Sequence, residues 1–336
     1  MMDNKIPANL REPGTAKGIE RLGMGLAALG RPGYINLGHG EDLKGRTDPQ
    51  DMQDHAFGVL DAAFDAGIRY YDCARSYGRA EEFAAAWLSA RGIDPEQVIV
   101  ASKWGYRYTA DWKVEADRHE IKEHTPAMLD AQWEESRDHL GRYLKLYQIH
   151  SATSESGVLR NTEVLGRLFA LKEQGLKIGL SVSGAGQPQT ILEALEVRLE
   201  GHGLFDALQA TFNMLEPSAG AALRWAHEAG LRVIVKEALA NGRLTPRNSA
   251  PHDSHLIRLL GEKAQKYRAA PDAMALAWVL SMPWVSTVLL GATTANQLHS
   301  NLGCLRFEAD DWGGLPEELR ESPELYWATR SRLKWN

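Results

Sequence analysis

Asp72-Cys73-Ala74-Arg75-Ser76-Tyr77-Gly78 follows an apolar run, Ala66-Gly67-Ile68-Arg69-Tyr70-Tyr71, and precedes a helical pattern that opens at Arg79-Ala80-Glu81-Glu82. The run reads as a short strand. It therefore ends on a carboxylate and carries a phenol into the following loop, five residues further on. A phenol near a carboxylate, held on rigid elements, is a candidate acid–base pair. Taken alone, the heptapeptide also suits an ordinary turn, so its surroundings decide the reading.

Outward from this junction, short β-branched or apolar runs alternate with longer helical patterns. Strands are expected at Ile19–Leu26, Arg69–Asp72, Val98–Lys103, Leu144–His150, Lys177–Ser181, Ala207–Thr211, Arg232–Lys236 and Thr287–Leu290. Helices are expected at Asp51–Ala66, Ala80–Arg91, Thr125–Leu140, Asn161–Glu173, Gln187–Leu199, Ser218–Ala229, Pro271–Leu280 and Ala295–Leu302. Pro126 and Pro271 stand where helices begin, and Gly67, Gly141, Gly175 and Gly230 where they stop. Strict alternation argues for a parallel sheet, and eight units in this length fit a closed (β/α)8 barrel. A Rossmann sheet fits less well: Gly23-Met24-Gly25 is the nearest approach to Gly-x-Gly-x-x-Gly, and it lacks the third glycine. Two long insertions break the rhythm, Trp104 to His124 after strand 3 and Ala238 to Arg268 after strand 7. Loops of that length are commonly functional.

The chain has 336 residues, an apolar content of 44% and a formal charge of −6. These values suit one folded α/β domain over residues 1–336, with a C-terminal tail beyond the barrel. They favour neither nucleic acid nor a membrane as partner. With only Cys73 and Cys304, no disulfide framework forms, and a cytoplasmic, reducing setting is expected. Met1 to Pro13 carries no apolar signal core. His252 and His255 lie in a polar loop with no third ligand evident, so no metal site is expected.

In a (β/α)8 barrel the chemistry sits at the C-terminal strand ends. Those ends carry Asp72, Lys103, His150, Ser181 and Lys236, with Gln209 inside strand 6. The local sequences are Asp72 through Glu81, Ala101-Ser102-Lys103, Tyr147-Gln148-Ile149-His150, Gly179-Leu180-Ser181, Gln209 through Asn213, Asn241-Gly242-Arg243-Leu244, and Gly291 through Asn301. In order and placement they resemble the aldo-keto reductase family, from about Gly18 to Leu305. The resemblance implies a nicotinamide-dependent oxidoreductase that interconverts an aldehyde or ketone and its alcohol. It implies a catalytic tetrad of Asp72, Tyr77, Lys103 and His150. Tyr77 would donate the proton, Lys103 would tune the phenol, Asp72 would hold Lys103, and His150 would orient the substrate oxygen.

The resemblance further implies cofactor contacts from Ser181, Gln209, Lys236, Glu237, Leu239, Asn241, Arg243, Gly291, Thr293, Gln297 and Asn301. Val182 stands where the family carries Asn, and Lys236-Glu237 where a Tyr-Ser pair is common. NADP(H) is favoured by family habit. NAD(H) stays open, because Gly291 to Asn301 holds no Lys or Arg for a 2′-phosphate, leaving Arg243 and Arg247 as alternative phosphate partners. Trp104, Tyr106 and Trp112, with Trp327 or Trp335 from the tail, are expected to wall a pocket for a small carbonyl compound. The Ala-Arg-Ser-Tyr-Gly variant resembles a subgroup that includes aldose dehydrogenases, which tilts the substrate toward a sugar or sugar-derived carbonyl. Arg75 reads as a surface residue or a substrate contact. Competing readings are a non-catalytic, cofactor-binding regulatory subunit on the same fold and a Schiff-base aldolase with Lys103 as nucleophile. A monomer or small homo-oligomer is expected.

Overall fold

The computed structural model describes residues 18–307 and 315–336; the polar N-terminal stretch lies outside them. Eight parallel strands close a barrel. They are β1 (Leu22–Gly25), β2 (Tyr70–Asp72), β3 (Ile99–Trp104), β4 (Leu144–Ala152), β5 (Lys177–Val182), β6 (Ala207–Thr211), β7 (Arg232–Lys236) and β8 (Thr287–Leu290). Each pairs with its sequence neighbour, and β1 closes the ring against β8. The principal outer helices are α1 (Pro49–Asp65), α2 (Ala80–Ala90), α3 (Pro126–Leu140), α4 (Thr162–Glu173), α5 (Gln187–Leu195), α6 (Gly220–Glu228), α7 (Pro271–Ser281) and α8 (Ala295–Leu302).

The helix starts follow from their caps. Asp48 accepts from the Gln50 amide with Pro49 at the first helical position, and Thr125 accepts from Met128 ahead of Pro126. The helix expected at Gln187–Leu199 stops at Leu195, and a two-residue-strand hairpin, Arg198–Leu199 with His202–Gly203, takes its end. The insertion after β3 folds into an antiparallel hairpin, Tyr106–Tyr108 with Glu120–Lys122. The insertion after β7 carries a helix, Ser254–Gln265, that the sequence reading left as loop. Three further α-helices among the described residues escaped that reading, one of them Leu315–Leu319. The β1 to α1 connection holds a short helix, His39–Leu43, and the chain closes with a helix at Pro323–Ser331.

Strand alternation sorts the side chains into two sets. Tyr70, Ala101, Leu146, Ala207, Ile234 and Leu289 form one apolar layer inside the barrel. Two residues along on the same faces come Asp72, Lys103, Gln148, Gln209 and Lys236, so these point inward directly above that plug. The intervening residues, Tyr71, Trp104, Tyr147 and Ile149, face out into the main core against the helices.

Candidate active site

The polar layer above the plug is held by an ion pair with satisfied partners. Lys103 Nζ pairs with the Asp72 carboxylate and also donates to the Cys73 carbonyl at 2.9 Å. Gln209 Nε2 donates to the other Asp72 oxygen at 3.0 Å, and Gln148 reaches the same oxygen at 3.5 Å. Both charged side chains are almost wholly buried, a situation tolerated only with such compensation.

The Tyr77 hydroxyl lies 3.4 Å from Lys103 Nζ and 3.5 Å from His150 Nε2. The Tyr77 and His150 rings meet edge to face at 5.4 Å. The loop carrying Tyr77 is set against the β1 loop by two glycines. A Cβ on Gly30 would come 2.3 Å from the Tyr77 carbonyl oxygen, and one on Gly78, at φ +61°, would come 2.5 Å from the Gly30 carbonyl oxygen. The Arg79 amide donates to Gly30 O at 2.7 Å, which fixes this close approach.

The charge states follow from burial. Desolvation first, then the Asp72 carboxylate, push the Tyr77 phenol well above its ordinary value. The Arg31 guanidinium pulls the other way, and burial outweighs it. A phenol that keeps its proton is still the state a general acid needs. Burial, and next the Lys103 ammonium, hold His150 well below its ordinary value, so its imidazole is neutral. A neutral imidazole can hydrogen-bond a carbonyl oxygen without competing as the acid. Lys103, with three hydrogen-bond partners already engaged, is a poor candidate for the free amine an aldolase nucleophile requires.

These residues open into a cavity of about 540 Å³. Its walls include Asp72, Tyr77, His150 and Gln209 at one end and Gly291, Thr293, Gln297 and Asn301 at the other, with Lys236, Glu237, Leu239 and Asn241 along the side. Nine of the eleven anticipated cofactor residues thus line one groove, and the other two, Ser181 and Arg243, lie outside its lining. Ser181 is buried, and its hydroxyl accepts from the Ser151 amide at 2.8 Å. It thereby shapes the wall beside His150, where Ser151 itself sits in the left-handed region at φ 52°. Arg243 is also buried. It grips Asp253 at 3.0 and 2.8 Å and Glu321 at 3.0 and 2.6 Å, so its charge is spent joining the β7 loop to the C-terminal segment.

Lys236 and Glu237 divide in the same way. Glu237, at φ 55°, holds Arg330 of the C-terminal helix at 3.0, 2.9 and 2.5 Å. Burial alone would raise the Glu237 carboxyl, but Arg330 and Lys236 outweigh it and bring it down to about 2. Lys236 donates to Thr211 Oγ1 at 2.8 Å, and burial pushes its ammonium down to about 8 against the pull of Glu237.

The anticipated aromatic wall is largely replaced. Trp104, last in β3, faces outward and is fully buried in the core. Trp112 packs on Phe83 of α2 and donates to the Thr47 carbonyl at 2.6 Å, away from the cavity. Tyr106 does approach, its ring 4.9 Å from that of His150. Trp335 lines the cavity and stacks on His119 at 3.7 Å, whereas Trp327 packs beside Tyr326. Arg75 bonds Glu81 at 2.6 Å and Glu135 at 2.8 Å, bridging α2 and α3 outside the cavity.

The β1 loop supplies what sequence reasoning missed. Arg31, Tyr34, Asn36 and Asp42 all line the cavity. Arg31 is only 2% exposed and lies among Tyr34, Tyr77 and Trp335, with its guanidinium 4.9, 5.3 and 4.7 Å from their ring centres. Leu37 N donates to Asn241 O at 3.0 Å, and Asn241 Nδ2 to Asn36 Oδ1 at 3.2 Å, so the β1 and β7 loops meet across the groove. No local pattern in the sequence singled out these four residues.

The fold and this strand-end constellation define a carbonyl-reducing barrel enzyme, and the chain belongs to the aldo/keto reductase family, whose model matches residues 21–315. The L-glyceraldehyde 3-phosphate reductase of Escherichia coli (strain K12) is 23% identical, over 93% of this chain and 94% of that one. The NADH-specific methylglyoxal reductase of the same strain is 22% identical, over 91% and 96%. An aldo-keto reductase from Bacillus halodurans in its holo form superposes with a TM-score of 0.66 at 20% identity, over 90% and 92% of the two chains. The protein is therefore an NAD(P)H-dependent oxidoreductase of carbonyl and alcohol groups.

Proposed function

We propose that the protein reduces a small, hydroxyl-bearing aldehyde or ketone, a sugar or sugar-derived carbonyl, with Tyr77 as the proton donor. The observation carrying this reading is the convergence of Lys103 and His150 on one phenolic oxygen at the floor of an open cavity, at 3.4 and 3.5 Å.

The groove fits a nicotinamide dinucleotide. It joins the Tyr77 end to α8, and Asn241 Oδ1 along its side is buried without a partner among the described residues. When bound, that cofactor supplies the hydride. Gln209 lies where it can fix the nicotinamide end, and Asn241, Thr293 and Gln297 line the remainder. The protein's own residues manage the proton. As negative charge develops on the substrate's carbonyl oxygen, Tyr77 would give that oxygen its proton. Lys103 stabilises the phenolate left behind, and Asp72 pairs with Lys103 and aims it. Neutral His150 orients the oxygen beside the phenol.

The cavity wall carries four charged side chains, Arg31, Glu120, Lys236 and Arg330, beside Tyr34 and Trp335. Such a lining supports a polyhydroxylated substrate over an apolar one. The test is turnover against a panel of aldoses, hydroxyaldehydes and alkyl aldehydes of matched size. Preference for the alkyl series would sink the sugar assignment. Tight cofactor binding with no turnover across the panel would favour the non-catalytic regulatory subunit.

A further inference from the structure

The end of the groove remote from Tyr77 has a charge pattern the catalytic reading does not use. Hydride delivery at Tyr77 requires the nicotinamide there, so the adenosine half must lie toward Thr293 and Asn301. At that end stand two carboxylates, Asp42 and Asp272, and one guanidinium, Arg247. Asp272 is held by Ser300 at 3.1 Å and Asn301 at 2.6 Å. Asp42 is 7% exposed. One of its oxygens pairs with Arg247, and the other accepts from Thr293 Oγ1 at 2.5 Å and Gln297 Nε2 at 2.8 Å. Arg247 is further occupied by the Gly38 carbonyl at 2.8 Å.

The two dinucleotides differ at one place, the 2′ position of the adenosine ribose. A phosphate there carries roughly −1.5 to −2 charges and needs unengaged cations. Among the groups lining this end it would meet a net negative charge and a single arginine already tied to Asp42; Arg46, near Thr293, is outside the lining and turned to His55. A 2′-hydroxyl is a donor, and an ionised carboxylate has about four acceptor sites, of which the contacts above fill three. The carboxylate therefore suits a hydroxyl and repels a phosphate.

We infer that Asp42, held by Thr293, Gln297 and Arg247, makes this enzyme select NAD(H) over NADP(H) by accepting from the ribose 2′-hydroxyl. The inference rests on the reading of the groove as a dinucleotide site. It reverses the preference that family habit suggests.

The test is equilibrium binding of NADH and NADPH to the apo full-length protein, followed by fluorescence or calorimetry, for wild type and Asp42→Asn. Wild type binds NADH at least ~10-fold more tightly, and the variant, with Arg247 released and the charge removed, narrows or inverts that ratio by tightening NADPH. Tighter NADPH binding by wild type overturns the inference while leaving the dinucleotide groove standing. Binding of neither overturns the groove itself. An unchanged ratio in a folded variant removes Asp42 from the role. Should the variant not fold, the wild-type ratio alone decides between NAD(H) and NADP(H).

Discussion

Arg330 Nε lies 3.0 and 2.9 Å from the two carboxylate oxygens of Glu237, so the last helix is pinned to the residue that follows β7. Glu237 is buried and Arg330 partly so, and the clasp seats Leu333 and Trp335 as part of the cavity wall. Arg330→Met strands the carboxylate. The expected loss is about 3 kcal/mol of stability, the lower end for one-sided removal from a buried pair. Thermal melts check it. Because the Glu237 carboxyl is held near 2 against an ordinary 4.5, the clasp stabilises fully above pH 4.5 and is lost as pH falls through 2. The gap in melting temperature between wild type and Arg330→Met therefore closes on acidification.

Lys236 gives the opposite sign. Its folded value of about 8 lies below the ordinary 10.5, so the buried ammonium is a burden at neutral pH. The unfolded chain binds the extra proton between those values, so stability rises with pH there. Lys236→Met should be more stable than wild type at pH 7, on the order of 1–3 kcal/mol after allowance for the Thr211 bond it forfeits. The advantage should shrink between pH 8 and 10.5. Paired melts across that range read it directly.

Lys103→Met should cost both turnover and roughly 3–5 kcal/mol of stability, because it leaves Asp72 charged and buried. The double variant Lys103→Met, Asp72→Asn should recover most of the stability and none of the activity. Recovery of both would reduce the pair to a structural strut.

Gly30→Ala should impair folding or displace Tyr77. Its Cβ would meet the Tyr77 carbonyl oxygen and Ala80 at 2.3 and 2.5 Å, backbone and a short side chain that cannot swing aside. A soluble Gly30→Ala protein with wild-type kcat would show that the two loops move freely of each other.

Where local signals were strong, the sequence carried the fold. Strands β6, β7 and β8 fall on their expected residues: β7 and β8 carry short β-branched and apolar runs, and β6 is a short, mainly apolar run that begins just after Asp206. The convergence of Asp72, Lys103 and His150 was legible because alternation places all three on inward faces. Trp104 was misread for the same physical reason: adjacent to Lys103, it must face the opposite way. The β1 loop and the C-terminal helix were not legible, since their order comes from long-range contacts. Asn336 Nδ2 donates to the Tyr34 and Asn36 carbonyls at 3.2 and 2.9 Å, across 302 and 300 residues of chain, and no local pattern announces that. Arg243, read as a phosphate partner, was claimed by Asp253 and Glu321, again at long range in the second case.

The central claim is that the Tyr77 hydroxyl delivers the proton. Its direct measurement is single-turnover reduction of the best panel substrate by Tyr77→Phe, with cofactor binding measured in parallel. The account predicts cofactor affinity within about twofold of wild type and a chemical step slowed by roughly 10²–10⁴-fold. A Tyr77→Phe enzyme that reduces the substrate at the wild-type rate contradicts it.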